Sequence, residues 1–85
     1  MGYHITKIEK GELGWISKVQ EEVDEFKDAQ KQKCKIMEDL ELSDIYGALE
    51  AVAVQRGLTM EDLRVMSDIT KRAFLDGTRK SEIKL

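Results

Sequence analysis

Residues 13–32, LGWISKVQEEVDEFKDAQKQ, decide the fold of this chain. At 100° per residue, Trp15, Val19, Val23, Phe26 and Ala29 gather on one side with Ile16 at its margin, which predicts an amphipathic helix. Glu22 falls inside that side and Glu25 on its flank, while Gln20, Asp24 and Lys27 point the other way and Glu21 and Asp28 lie farther round. Residues 36–56, IMEDLELSDIYGALEAVAVQR, repeat the arrangement: Met37, Ile45, Ala48, Leu49 and Val52 share a face, Glu41 sits near its middle and Asp44 beside Met37. A surface helix normally sets its acids opposite the apolar stripe. Here two helices set acids against it.

Glu22 and Glu25 form one pair spaced i, i+3, and Glu41 and Asp44 form a second. On a helix that spacing brings both side chains to one face, a turn apart. An unpaired carboxylate beside apolar surface is costly. Two acidic pairs closed together by a helical hairpin repel each other unless a cation lies between them. The pattern therefore points to a divalent-metal site. Carboxylate oxygens are hard donors that suit magnesium, with manganese as the alternative, and suit zinc or copper poorly. A di-iron bundle would need a histidine three residues after a glutamate on two helices; Glu25 and Asp44 stand there instead, and His4 reads as a surface or packing residue. The competing reading is two well-solvated acidic faces.

Working outward, QKQKCK (residues 30–35) makes a short polar connection, in which Cys34 has no histidine or cysteine neighbour and is assigned no function. Gly57 stops the second helix as a C′ residue. Thr59 then caps a third, with Asp62 at N3 in a capping box. Leu63, Met66, Ile69, Thr70, Ala73 and Phe74 give that helix its buried face, and it should end near Asp76, with Gly77 as C′. The first ten residues, MGYHITKIEK, alternate apolar positions at Tyr3, Ile5 and Ile8 and read as an extended arm or a short turn. The expectation is one all-α domain over residues 1–85: a helical hairpin plus a third helix, with an N-terminal arm (1–10) and a basic tail (78–85).

With 41% hydrophobic and 36% charged residues and no proline, the composition suits a soluble helical protein. The net charge of −3, with both signs interspersed, shows no basic face for a nucleic acid polymer. No apolar run approaches a membrane span, the N-terminus has no signal-peptide pattern, and a single cysteine cannot staple the fold, so a cytoplasmic location is expected. An 85-residue helical chain has a modest core and is expected to complete it by self-association. Among other candidates, Lys71, Arg72, Arg79 and Lys80 either complement a helix C-terminus or contact phosphates, with Lys18 a similar candidate on the flank of Glu25. Trp15 reads as core packing or as an aromatic that stacks on a base, and Tyr46 as a surface or interface residue.

Glu21-Glu22-x-x-Glu25, followed after fifteen residues by Glu41-x-x-Asp44, resembles the EExxE…ExxD signature of the all-α nucleotide pyrophosphohydrolases, which include MazG-like proteins, dimeric dUTPases and phosphoribosyl-ATP pyrophosphohydrolases. Over residues 11–80 the chain is similar to the short single-domain MazG-like type of bacteria and phages. The resemblance implies magnesium held by Glu22, Glu25, Glu41 and Asp44, with Glu21 as a further active-site acid that holds a water or a second ion. It also implies hydrolysis of a nucleoside triphosphate between the α- and β-phosphates, and assembly into homodimers or homotetramers. Residues 66–74 carry Asp68 and lack the asparagine that family members have near their C-terminal basic residues, which leaves base selection unassigned. A helical interaction module and a nucleotide binder without turnover are the other classes open to this sequence.

Overall fold

The computed structural model describes residues 4–76, so Tyr3, Gly77, Arg79, Lys80 and the basic tail lie outside the described residues. Three helices account for most of them: α1 (Ile16–Lys31), α2 (Lys35–Gln55) and α3 (Met60–Leu75), and no strand occurs among the described residues. The all-α class and the helix order are those read from the sequence, with boundaries shifted by one to three residues: α1 is shorter at both ends, and α2 starts and ends one residue earlier. None of these helices is long and apolar enough to cross a membrane.

Each junction has a local cause. At the end of α1, Lys33 N–H bonds to the Gln30 carbonyl and Cys34 N–H to that of Ala29, the two bonds of a Schellman turn. The turn requires a left-handed residue, and Lys33 supplies it at φ +56°, at a cost of about 1 kcal/mol that glycine would not incur. Gly57, at φ +72°, performs the same task at the end of α2, with Leu58 N–H bonded to the Ala53 carbonyl. Thr59 and Asp62 form the expected capping box: Asp62 N–H donates to Thr59 Oγ1 at 3.0 Å, and Thr59 N–H to Asp62 Oδ2 at 2.9 Å.

Packing is concentrated between α1 and α2, and α3 touches only α2, lightly. The buried apolar residues of the described chain are Val19, Ala29, Ala48 and Ala53. These small side chains let the two helices of the hairpin approach closely but bury little apolar area. Beside them Glu21, Glu22, Asp28 and Glu41 are also buried, so the interior is as acidic as it is apolar.

Several side chains expected inside are outside. Trp15 caps the start of α1 and is 56% exposed, and no α3 residue is buried, with Met66 and Ile69 more than half exposed. The reason is geometric: two closely packed helices cover only the faces they turn to each other. Among the helices, α3 meets α2 alone. α2 is apolar around most of its circumference, leaving Ile36, Leu40, Leu42, Tyr46 and Val54 at the surface.

The arm runs in extended form along the side of α1 that carries Glu21 and Asp28. Asp28 accepts hydrogen bonds from Ile5 N–H (3.0 Å), Thr6 N–H (2.8 Å), Thr6 Oγ1 (2.7 Å) and Gln32 Nε2 (2.8 Å). Glu21 accepts from Gly11 N–H at 2.8 Å. Gly11 passes so close to α1 that a Cβ there would lie 2.1 Å from the Ser17 carbonyl oxygen. Glu21 and Asp28 thus point toward the arm, not toward solvent as their place on the helical wheel suggested.

Candidate metal centre

α1 and α2 bring the two acidic pairs face to face. Glu22, Glu25, Glu41 and Asp44 each offer a carboxylate oxygen, and these oxygens all lie within 4.8 Å of one another. The pairs meet because Glu25 and Glu41 stand at matching heights on opposite sides of the short 32–34 connection, with Glu22 and Asp44 one turn farther along. Burial is graded across the cluster. Glu41 forms the floor at 1% exposure, Glu22 is buried, Glu25 is half-buried and Asp44 is exposed at the mouth.

The electrostatics follow from this placement. Burial, with Asp44 and Glu25 close by, pushes the Glu41 carboxyl up to about 7. Burial also raises Glu22, against the pull of Lys18 and in concert with the negative charge of Glu25. Both oxygens of Glu41 and Oε2 of Glu22 are buried without a hydrogen-bond partner. Buried polar atoms are nearly always paired, and these three aim into one space. An oxygen-lined space with surplus negative charge and unsatisfied acceptors suits a divalent cation that takes oxygen ligands, so the donor set fits magnesium or manganese.

The other candidates take different positions. Glu21 faces the arm: it bonds Gly11, lies 3.2 Å from Lys18 Nζ and 3.7 Å from Lys10 Nζ, and is outside the group of four. The Gly11 hydrogen bond, with help from Lys18, holds its carboxyl below the usual range despite burial. Lys18 bridges the two acids, with Nζ also 3.3 Å from Glu22 Oε1. Lys71 and Arg72 are exposed on α3. Trp15 lines an open pocket of about 470 Å³ at the far end of the hairpin with Gly14, Ile16, Val52, Gln55 and Arg56. It lies seven residues before Glu22, roughly 10 Å along the helix.

His4 was read as a surface or packing residue, and the structure sets it at the cluster. Its Nδ1 is 2.9 Å from Asp28 Oδ2, and its Nε2 is 3.3 Å from Glu41 Oε2 and 3.8 Å from Glu25 Oε2. No local pattern in the sequence announces an arm that docks across more than twenty residues. A partial signal was available in Asp28, which continues the Glu22, Glu25 ladder by another three residues and so marks an acidic strip able to hold the arm.

Compared with known proteins, the chain matches no family model, no curated protein and no solved structure.

Proposed function

We propose that this protein is a magnesium-dependent nucleoside triphosphate pyrophosphohydrolase, releasing a nucleoside monophosphate and pyrophosphate. The observation that carries the reading is Glu41: a carboxylate 1% exposed, with neither oxygen hydrogen-bonded, facing three further carboxylates. A chain gains nothing in stability from that arrangement alone. The EExxE…ExxD resemblance supplies the reaction class.

In this reading Glu22, Glu25, Glu41 and Asp44 hold the ion. When bound, the ion supplies Lewis-acid polarisation of phosphoryl oxygens and acidifies water. Asp44, at the open mouth, stands where the triphosphate arrives, while Glu41 and Glu22 close the floor to solvent. Lys18 exchanges its contact with Glu22 for a phosphate oxygen, and Lys71 and Arg72 steer the polyphosphate. Trp15 offers its exposed ring to the base, at a separation that a ribose and its phosphates span. Positioning of this kind contributes several kcal/mol to a phosphoryl-transfer reaction.

Product identity tests the reading. With magnesium and a panel of nucleoside triphosphates, pyrophosphate and monophosphate should form in equal amounts. Diphosphate with inorganic phosphate would overturn the mechanism, and no turnover on any triphosphate or phosphoribosyl nucleotide would favour an interaction module.

The working form is a homo-oligomer, dimer or tetramer. Leu42, Tyr46 and Leu49 on α2 and Met66 and Ile69 on α3 are exposed apolar side chains that a second copy would cover. Tyr46, Leu49, Met60 and Leu63 line a shallow groove of about 370 Å³ between these helices. Sedimentation at micromolar concentration should give a multiple of 9.7 kDa; a single species at the monomer mass would defeat this part of the proposal.

A further inference from the structure

Asp28 is 1% exposed and accepts hydrogen bonds from Ile5 N–H, Thr6 N–H, Thr6 Oγ1 and Gln32 Nε2. A carboxylate so surrounded acts as an acceptor. Its Oδ2 therefore accepts from His4 Nδ1–H at 2.9 Å. That bond turns the other ring nitrogen, Nε2, toward Glu41 Oε2 at 3.3 Å and Glu25 Oε2 at 3.8 Å. Nε2 and one oxygen of each glutamate lie within 4.8 Å of one another, close enough to share one ion. Glu41 is also the side chain whose buried oxygens have no hydrogen-bond partner.

We propose that His4 is a ligand of the centre through Nε2, which makes it a mixed imidazole–carboxylate site that takes manganese as well as magnesium. The inference rests on reading the acidic cluster as a metal centre, and it adds a ligand from the arm. Two features support it beyond proximity. A carboxylate that fixes Nδ1–H and aims Nε2 is the usual outer-shell support of a metal-bound histidine. The separations of Nε2 from the two glutamate oxygens also suit neighbouring corners of a small ion's shell, whose ligands at about 2.1 Å stand about 3 Å apart. Imidazole nitrogen strengthens binding of transition ions much more than of magnesium, which takes oxygen donors.

Because His4 is the single histidine of the chain, selective labelling reports on it without altering the protein. Pulsed electron paramagnetic resonance of Mn²⁺ bound to the full chain should show nitrogen modulation that changes from ¹⁴N to ¹⁵N when the protein is grown with ¹⁵N-histidine. His4→Gln, in which Ile5 and Thr6 still anchor the arm, should weaken Mn²⁺ binding by about 10–100-fold and magnesium binding far less. Bound Mn²⁺ without nitrogen modulation, its binding lost in Glu41→Gln, would overturn the role of His4 while leaving the acidic centre standing. No Mn²⁺ binding, or binding that survives Glu41→Gln, would overturn the metal-centre reading and this inference with it.

Discussion

Replacing Glu41 by glutamine should make the metal-free protein more stable and inactive. The sign follows from the titration. Glu41 has a carboxyl raised from 4.5 to about 7 by burial and by Asp44 and Glu25, so the folded chain retains a proton that the unfolded chain releases. Stability attributable to this group is greatest below pH 4.5 and is lost as the pH rises through 7. The loss approaches ~3 kcal/mol at pH 8. Glutamine never ionises, so the variant avoids that loss, less the cost of an imperfectly paired buried amide of about 1 kcal/mol. Thermal melts in a chelator should place the variant ~2 kcal/mol above wild type at pH 8, roughly 10 °C in Tm, and close to it at pH 5. Turnover with magnesium should fall at least ~100-fold, since a ligand matters no less than its outer-shell support. Asp44→Asn, at the exposed mouth, should cost the same activity without the stability gain. A Glu41→Gln protein less stable than wild type at pH 8 would show that the cluster is not under electrostatic strain.

Asp28→Asn should act in the opposite direction. Asparagine keeps the shape but presents one acceptor oxygen and an NH₂ group to the donors of Ile5, Thr6, Gln32 and His4. At least one donor pair would then meet head on in a buried site. Loss of charge-assisted bonds and the unsatisfied donors together cost about 3 kcal/mol, or more than 10 °C in Tm for a domain of this size. The damage should be local first: Ile5 and Thr6 amide hydrogens, protected in wild type, should exchange at near-solvent rates as the arm lifts away. The pH dependence gives an independent check. Hydrogen bonds from Thr6, His4 and Gln32 hold the Asp28 carboxyl well below its usual range despite burial. Its contribution is therefore complete above pH 3.8 and declines as the pH falls below that value. Wild type should lose stability on the acid side more steeply than Asp28→Asn. Equal slopes, or a variant within 0.5 kcal/mol of wild type, would show that the arm is not anchored there.

The residues explain how much could be read from sequence. Period and punctuation were sufficient for α1, α2 and α3, because Gly57 and the Thr59–Asp62 box act within a few residues of where they stand. Meeting of the acidic pairs was also legible. A three-residue connection forces the helices into a hairpin, and i, i+3 spacing then brings Glu22 and Glu25 opposite Glu41 and Asp44. The burial of Glu21 and Asp28 and the position of His4 were not legible. They depend on where an extended segment docks, and extended backbone carries no periodic signal of its partner. Trp15 and the α3 stripe were misplaced for a related reason: a helical wheel tells which face is apolar, but not whether this chain or another surface covers it.

The unsatisfied interior of the hairpin also sets selection for foldability against selection for the site. Because Glu22 and Glu41 occupy positions where methionine, leucine or glutamine would be less costly, a library of variants sorted only for folded yield would drift toward those residues. The molecules it enriched would be sturdier helices with an empty chemistry. Natural chains of this design can keep the two glutamates only while something besides folding demands them.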